Sequence, residues 1–138
     1  MASDATMRGG CLCGAVRFEV TSPFLRVSQC HCTTCKAISG GVGTATGRVP
    51  TRAVRVLGGR ELITTYQPDE GLAKSFCSAC GSNLFGSGWP DSEFTGVRLT
   101  ALDEPFDGKP EMHIWVRSVA PWETLPDDGL PRYDEGAP

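Results

Sequence analysis

A mainly β domain of short strands arranged around metal-binding cysteine turns is what the sequence predicts, and three observations carry that prediction. Gly contributes 17 and Pro 10 of the 138 residues, a density of chain-turning residues that favours short strands over long helices. Several stretches alternate apolar and polar residues with a period of two, the signature of half-buried strands. Seven cysteines fall into three tight groups, Cys11-x-Cys13, Cys30-x-Cys32-x-x-Cys35 and Cys77-x-x-Cys80.

The first expected strand is 14–20, where Val16, Phe18 and Val20 alternate with Arg17 and Glu19 before Ser22-Pro23 stops the run. A second, 25–28, precedes the single helical stretch, Thr33–Ser39, which allows about two turns before Gly40-Gly41 halts it. Further strands are expected at 42–46, 54–57, 62–66, 96–99 and 112–117, with Gly58-Gly59 as a hairpin turn between 54–57 and 62–66. Segments 103–110 and 127–138 are acidic and turn-rich and read as surface connection or tail. Trp89, Trp115 and Trp122 are expected to fill the small core. Cys13-Gly14 is followed by Phe18 and Cys80-Gly81 by Phe85, an echo that two similar metal-binding turns leading into strands would produce.

The length suits one domain, spanning 1–138 with its core at about 8–125 and a tail at 126–138. Hydrophobic residues at 40% and charged residues at 21% are ordinary globular usage. Lys+Arg at 13 against Asp+Glu at 16 leaves a formal charge of −3, a field that repels a polyanion, so no nucleic-acid partner is expected. No apolar run reaches the ~18–20 residues of a membrane span, and the first residues carry neither the basic nor the apolar region of a secretion signal. The expected compartment is therefore a reducing cytosol, where thiols stay free. The glycines at 40, 41, 43 and 47 lack the Gly-Lys-Ser/Thr ending of a phosphate loop, and nucleotide binding is not expected.

Paired cysteines one to four residues apart on a tight turn supply two corners of a zinc tetrahedron. Cys11, Cys13, Cys77 and Cys80 together make a closed four-sulfur site, with Gly14 and Gly81 after the second cysteine of each pair. The competing reading is a set of buried free thiols or a redox pair. Cys30, Cys32 and Cys35 use up the remaining thiols and leave a vacant fourth corner, the arrangement that separates a reactive zinc site from a structural one. Reduced cysteines on a structural turn, or closure by a histidine, are the alternatives there. Filling both sites adds −3 to the formal charge, so nearby Lys36 and Lys74 either balance thiolate charge or are solvated surface lysines. His31, between two of the cysteines, reads as a supporting or surface residue. His113 reads as a hydrogen-bonded sheet histidine, a proton shuttle or a fourth ligand.

In the motifs Gly10-Cys11-Leu12-Cys13-Gly14 with Val16-Arg17-Phe18, Cys30-His31-Cys32-Thr33-Thr34-Cys35-Lys36 with Ser39-Gly40, Phe76-Cys77-Ser78-Ala79-Cys80-Gly81-Ser82, and Met112-His113-Ile114-Trp115-Val116 with Trp122, the sequence resembles the glutathione-dependent formaldehyde-activating family. That group includes centromere protein V and shares the β-tent fold of Mss4-like proteins. The resemblance implies a structural zinc on Cys11, Cys13, Cys77 and Cys80 and a catalytic zinc on Cys30, Cys32 and Cys35. It also implies a cytoplasmic carbon–sulfur lyase that adds the glutathione thiol, or a similar one, reversibly to formaldehyde or another small aldehyde. Lys36, Ser39 and Gly40 are the expected thiol-substrate contacts, with Arg48 and Lys74 as further candidate anchors for a carrier's carboxylates. Two other functions compete: a non-catalytic zinc module that binds a protein partner, as Mss4-like relatives do, and redox sensing or metal storage through the three thiols.

Overall fold

The computed structural model describes residues 6–138 and is mainly β, as expected, with ten strands in two sheets and one α-helix. The smaller sheet has the order β1 (Met7–Gly10), β2 (Arg17–Val20), β5 (Val54–Gly58), all antiparallel. The larger one runs β10 (Met112–Ile114), β3 (Arg26–Cys30), β4 (Thr44–Pro50), β9 (Phe94–Arg98), β8 (Asn83–Ser87), β7 (Lys74–Cys77), β6 (Ile63–Tyr66). Every neighbouring pair in it is antiparallel except β10 with β3. The helix α1 spans Thr33–Ser39, and Gly40 ends it in the left-handed region at φ 69 with its N–H on the Lys36 carbonyl, a C-cap that β-carbon-bearing residues adopt reluctantly.

Between the sheets lies one core, in which Val16, Phe18, Val20, Val49, Leu84, Phe85 and Val97 are fully buried. The alternation expected at 14–20 is realised from Val16 onward: Val16, Phe18 and Val20 are buried while Arg17 and Glu19 are half-exposed. The two phenylalanines of the Cys-Gly echo meet there, Phe18 against Phe85 edge-on at 5.2 Å between ring centroids. Trp89 extends this cluster at 5.3 Å from Phe85. Of the three tryptophans, only Trp89 joins the core; Trp115 is half-buried and Trp122 is 86% exposed, because the chain leaves the sheet before reaching them.

Two expectations about connectivity are corrected. Gly58-Gly59 does not turn a hairpin: β5 pairs with β2 and β6 pairs with β7, so these glycines carry the chain from one sheet to the other through the short 3₁₀ turn Arg60–Leu62. The last strand stops at Ile114 rather than 117, since Trp115 turns left-handed at φ 58 and a 3₁₀ turn, Val116–Ser118, follows. Residues 131–135 then run beside β10. His113 donates its N–H to the Pro131 carbonyl, Tyr133 N–H reaches the His113 carbonyl, and Trp115 N–H reaches Glu135. Among the described residues, no helix is long and apolar enough to cross a membrane.

Candidate metal centres and active site

The turn between β1 and β2 and the turn between β7 and β8 converge from different sheets, bringing together Cys11, Cys13, Cys77 and Cys80 with their sulfurs within 4.8 Å of one another. Gly14 and Gly81 adopt φ 83 and φ 80 with open space where a Cβ would stand, so the backbone angle, not crowding, calls for glycine there. Their N–H groups close the turns onto the Cys11 and Cys77 carbonyls at 3.0 and 2.7 Å. Val16 N–H donates to the Cys11 sulfur at 3.2 Å, and Ser82 Oγ lies 3.2 Å from the Cys80 sulfur while accepting from Leu12 N–H at 2.8 Å.

Those donors favour thiolates. The Ser82 hydroxyl, with the Cys13 and Ser82 amides, brings Cys80 down to about 5. Cys13 is helped by the Ala15 amide, yet Cys11 beside it pushes it up to about 11. Four sulfurs this close cannot all ionise without a cation among them, whereas tetrahedral zinc, with bonds of ~2.3 Å, sets sulfurs roughly 3.8 Å apart. The Cys11 and Cys13 sulfurs stand at 3.5 Å. This donor set fits a closed thiolate metal site.

The second cluster is local. Cys30 ends β3, Cys32 N-caps α1 by accepting the Cys35 N–H at 3.2 Å, and Cys35 lies buried in the first helical turn. Their sulfurs also lie within 4.8 Å of one another. Hydrogen bonds from Cys30 and Cys32 hold the Cys35 thiol far below its ordinary value, with the Thr44 hydroxyl and the Lys74 charge acting the same way. Cys30, bonded to Cys32 and Cys35 and desolvated, is pushed far up. Three sulfurs this close suit a divalent metal with thiolate preference, which would take all three in ionised form.

A cavity of about 450 Å³ opens beside Cys30 and Cys35, and its wall carries Arg26, Arg48, Lys74 and Arg98 against one acid, Glu93. Among the described residues none of these four cations has a carboxylate within ion-pair distance. Lys74 is buried with Nζ on the Gly86 carbonyl at 3.0 Å, which excludes the solvated-surface reading and places its charge where it stabilises the Cys35 thiolate. Arg48 lies over the Phe94 ring at 4.2 Å. Lys36, Ser39 and Gly40 stand elsewhere: Lys36 Nζ donates to the Ser118 carbonyl, Ser39 Oγ accepts from Gly41 N–H at 3.1 Å, and Gly40 caps α1.

His31 is buried at 1% exposure, and behind the Cys30–Cys35 turn it begins a chain of hydrogen bonds. Its Nδ1 lies 3.1 Å from the Val42 carbonyl, its Nε2 lies 2.9 Å from His113 Nδ1, and His113 Nε2 lies 2.7 Å from Asp128 Oδ2. His31 donates through Nδ1 to the Val42 carbonyl, His113 donates through Nε2 to the Asp128 carboxylate, and one proton between the two facing ring nitrogens satisfies the third contact. His113 is thus the hydrogen-bonded sheet histidine among the readings considered. Sequence reasoning missed Arg98 and Asp128, which lie 68 and 98 positions beyond Cys30; the one local hint for Arg98 is a charged residue closing the apolar run of β9.

Residues 6–118 match the family model described as glutathione-dependent formaldehyde-activating enzyme. The chain belongs to that family. A Halomonas elongata protein, provisionally named a glutathione-dependent formaldehyde-activating enzyme, is 33% identical over 125 residues, covering 84% of this chain and 78% of that one. A Rhodobacter sphaeroides crystal structure matches the fold with a TM-score of 0.58 at 24% identity, covering 92% of this chain and 99% of that one. Family membership accords with the cysteine pattern, and the likeness to the solved structure supports the β architecture.

Proposed function

We propose that this family member is a zinc-dependent carbon–sulfur lyase, acting in the cytosol, that adds a thiol (glutathione or a similar carrier) reversibly to formaldehyde or another small aldehyde. The observation that carries the reading is the three-thiol cluster opening onto a cavity whose four cations, among the described residues, have no carboxylate within ion-pair distance. Cys11, Cys13, Cys77 and Cys80 would hold a structural zinc, and Cys30, Cys32 and Cys35 a second zinc with one corner free. Bound there, that metal would supply Lewis acidity enough to keep a substrate thiol ionised near neutral pH.

The chain's own residues do the remaining work. Lys74 and the Arg98–Thr44 pair offset the surplus negative charge of three thiolates, with Thr44 Oγ1 accepting from Arg98 Nη1 at 2.7 Å and donating to Cys35. The cavity holds the thiol carrier and aldehyde together, and proximity is most of what a hemithioacetal needs. The thiolate sulfur attacks the carbonyl carbon, forming the C–S bond. The carbonyl π pair moves to oxygen, which takes one proton from water, and the proton that the thiol released to solvent on ionising neutralises the hydroxide left; the reverse step returns thiol and aldehyde.

Two-dimensional exchange NMR of glutathione, formaldehyde and their adduct tests this, because the uncatalysed reaction supplies the baseline. Zinc-loaded protein is expected to accelerate exchange and its Cys30→Ser variant not to; equal exchange with and without the protein overturns the reading.

A further inference from the structure

Arg98 is 3% exposed, yet two of its three guanidinium nitrogens, Nε and Nη2, are buried without a hydrogen-bond partner. Nη1 alone is engaged, donating to Thr44 and Thr46 Oγ1 at 2.7 Å each. The orphaned pair, Nε with Nη2, is the edge of a guanidinium that grips a carboxylate with two parallel bonds. Leaving such a fork unpaired inside a protein is costly, and buried orphans of this kind usually mark a missing partner. The surroundings are shaped for the fork: a Cβ on residue 86 would lie 2.8 Å from Arg98 Cζ and Nη1, so Gly86 leaves the guanidinium plane room to lie flat on β8. Arg98 lines the same cavity as Cys30 and Cys35, together with Arg26, Arg48 and Lys74.

We infer that Arg98 is a carboxylate seat, the specificity-determining contact for an anionic ligand that fills this cavity with its other end at Cys30 and Cys35. That the other end is a thiol rests on the proposed function; the seat itself rests on the unpaired fork. Lys74 is not the competitor for this role, since its Nζ is tied to the Gly86 carbonyl. The ligand class is therefore a small carboxylic acid bearing a thiol. Neutral thiols lack the group that Arg98 is built to take.

Calorimetric titration of the zinc-loaded protein with S-methylglutathione, whose sulfur is blocked but whose carboxylates are free, reads the seat without any turnover. Binding is expected to weaken with salt and to fall at least tenfold when the probe's carboxylates are methylated. Arg98→Gln, compared with the wild type at equal zinc loading, is expected to lose at least tenfold, and Gly86→Ala, which pushes the guanidinium off its place, to shift affinity the same way. Equal affinity for the acid and its diester in the wild type overturns the inference, whether or not the variants fold; so does undiminished binding by folded Arg98→Gln, or no binding at all. The two proposals fail separately. Accelerated aldehyde exchange that is equal for glutathione and 2-mercaptoethanol, and unaffected by Arg98→Gln, removes the seat and leaves the lyase. Arg98-dependent binding without accelerated exchange for any thiol leaves the seat and removes the lyase.

Discussion

Individual residues divide into those whose role is announced by spacing and those whose role exists only in three dimensions. The cysteines belong to the first kind, because a metal-binding turn is local and its neighbouring cysteines lie two or three positions apart. Changing Cys35 to Ser is expected to lower bound zinc from two equivalents to one, measured by atomic absorption, while the thermal transition persists and exchange activity is lost. Gly43 belongs to the second kind. In a segment that lacks a phosphate motif, and whose Gly40 halts α1 as expected, Gly43 at φ 148 lets the chain pass the Cys30 carbonyl, which a Cβ would meet at 2.1 Å. Gly43→Ala therefore has no space and a disfavoured backbone angle, costing about 1–3 kcal/mol. Denaturant unfolding is expected to show that loss together with weaker metal retention at the neighbouring turn. Arg98 is the extreme case: its partners Thr44 and Thr46 come from a strand 52–54 positions away, so no window of sequence contains the site.

Elements were legible where burial alternates and illegible where it does not. β2 shows the pattern and was found, whereas β8 buries Leu84, Phe85 and Gly86 consecutively, with a register shift between Phe85 and Ser87 that erases period two. In β7 the buried side chains include Lys74 and Ser75, which read as polar surface without the cavity and its thiolates in view. β1, Met-Arg-Gly-Gly, offers no alternation at all. The segment following β10 looked like an acidic tail, but Asp128 clasps His113 and the backbone of 131–135 runs alongside the strand. The His113 ring, with the Leu130 amide, holds the Asp128 carboxyl below its ordinary range. Because the folded state prefers the ionised form, this contribution is present above the ordinary carboxyl value near 3.8 and disappears as pH falls through the lower folded value. Asp128→Asn is expected to melt below the wild type at neutral pH, with the difference closing under about pH 4; thermal scans across pH measure it.

At the scale of the molecule, the four-sulfur centre is where the β1–β2 turn of the small sheet meets the β7–β8 turn of the large one, and the proposed zinc would pin the two together. Structural zinc contributes about 10–16 kcal/mol in small zinc peptides, comparable to the entire net stability of a typical domain at about 5–15 kcal/mol. Cys80→Ser, or exhaustive chelation, is thus expected to abolish the cooperative thermal transition, read by far-ultraviolet circular dichroism, where Cys30→Ser leaves it in place. The β class and the two cysteine clusters were readable because each rests on local spacing or on a fold-wide excess of turns. The crossing between sheets at Gly58-Gly59 was not, because a hairpin and a crossover share the same turn residues and only the distant partners β2 and β7 distinguish them.

The two clusters also differ in when they can exist. Cys30, Cys32 and Cys35 leave the ribosome within six residues of one another, whereas Cys77 follows Cys13 by 64 positions. At about 5–20 residues per second that interval is roughly 3–13 s, during which Cys11 and Cys13 are a half-built centre. On the proposed assignment a newborn chain would therefore meet the cell's metal supply first through the Cys30–Cys35 turn and close the four-sulfur centre afterwards, so that scarcity of metal during synthesis would leave chains charged at one end and unpinned at the other.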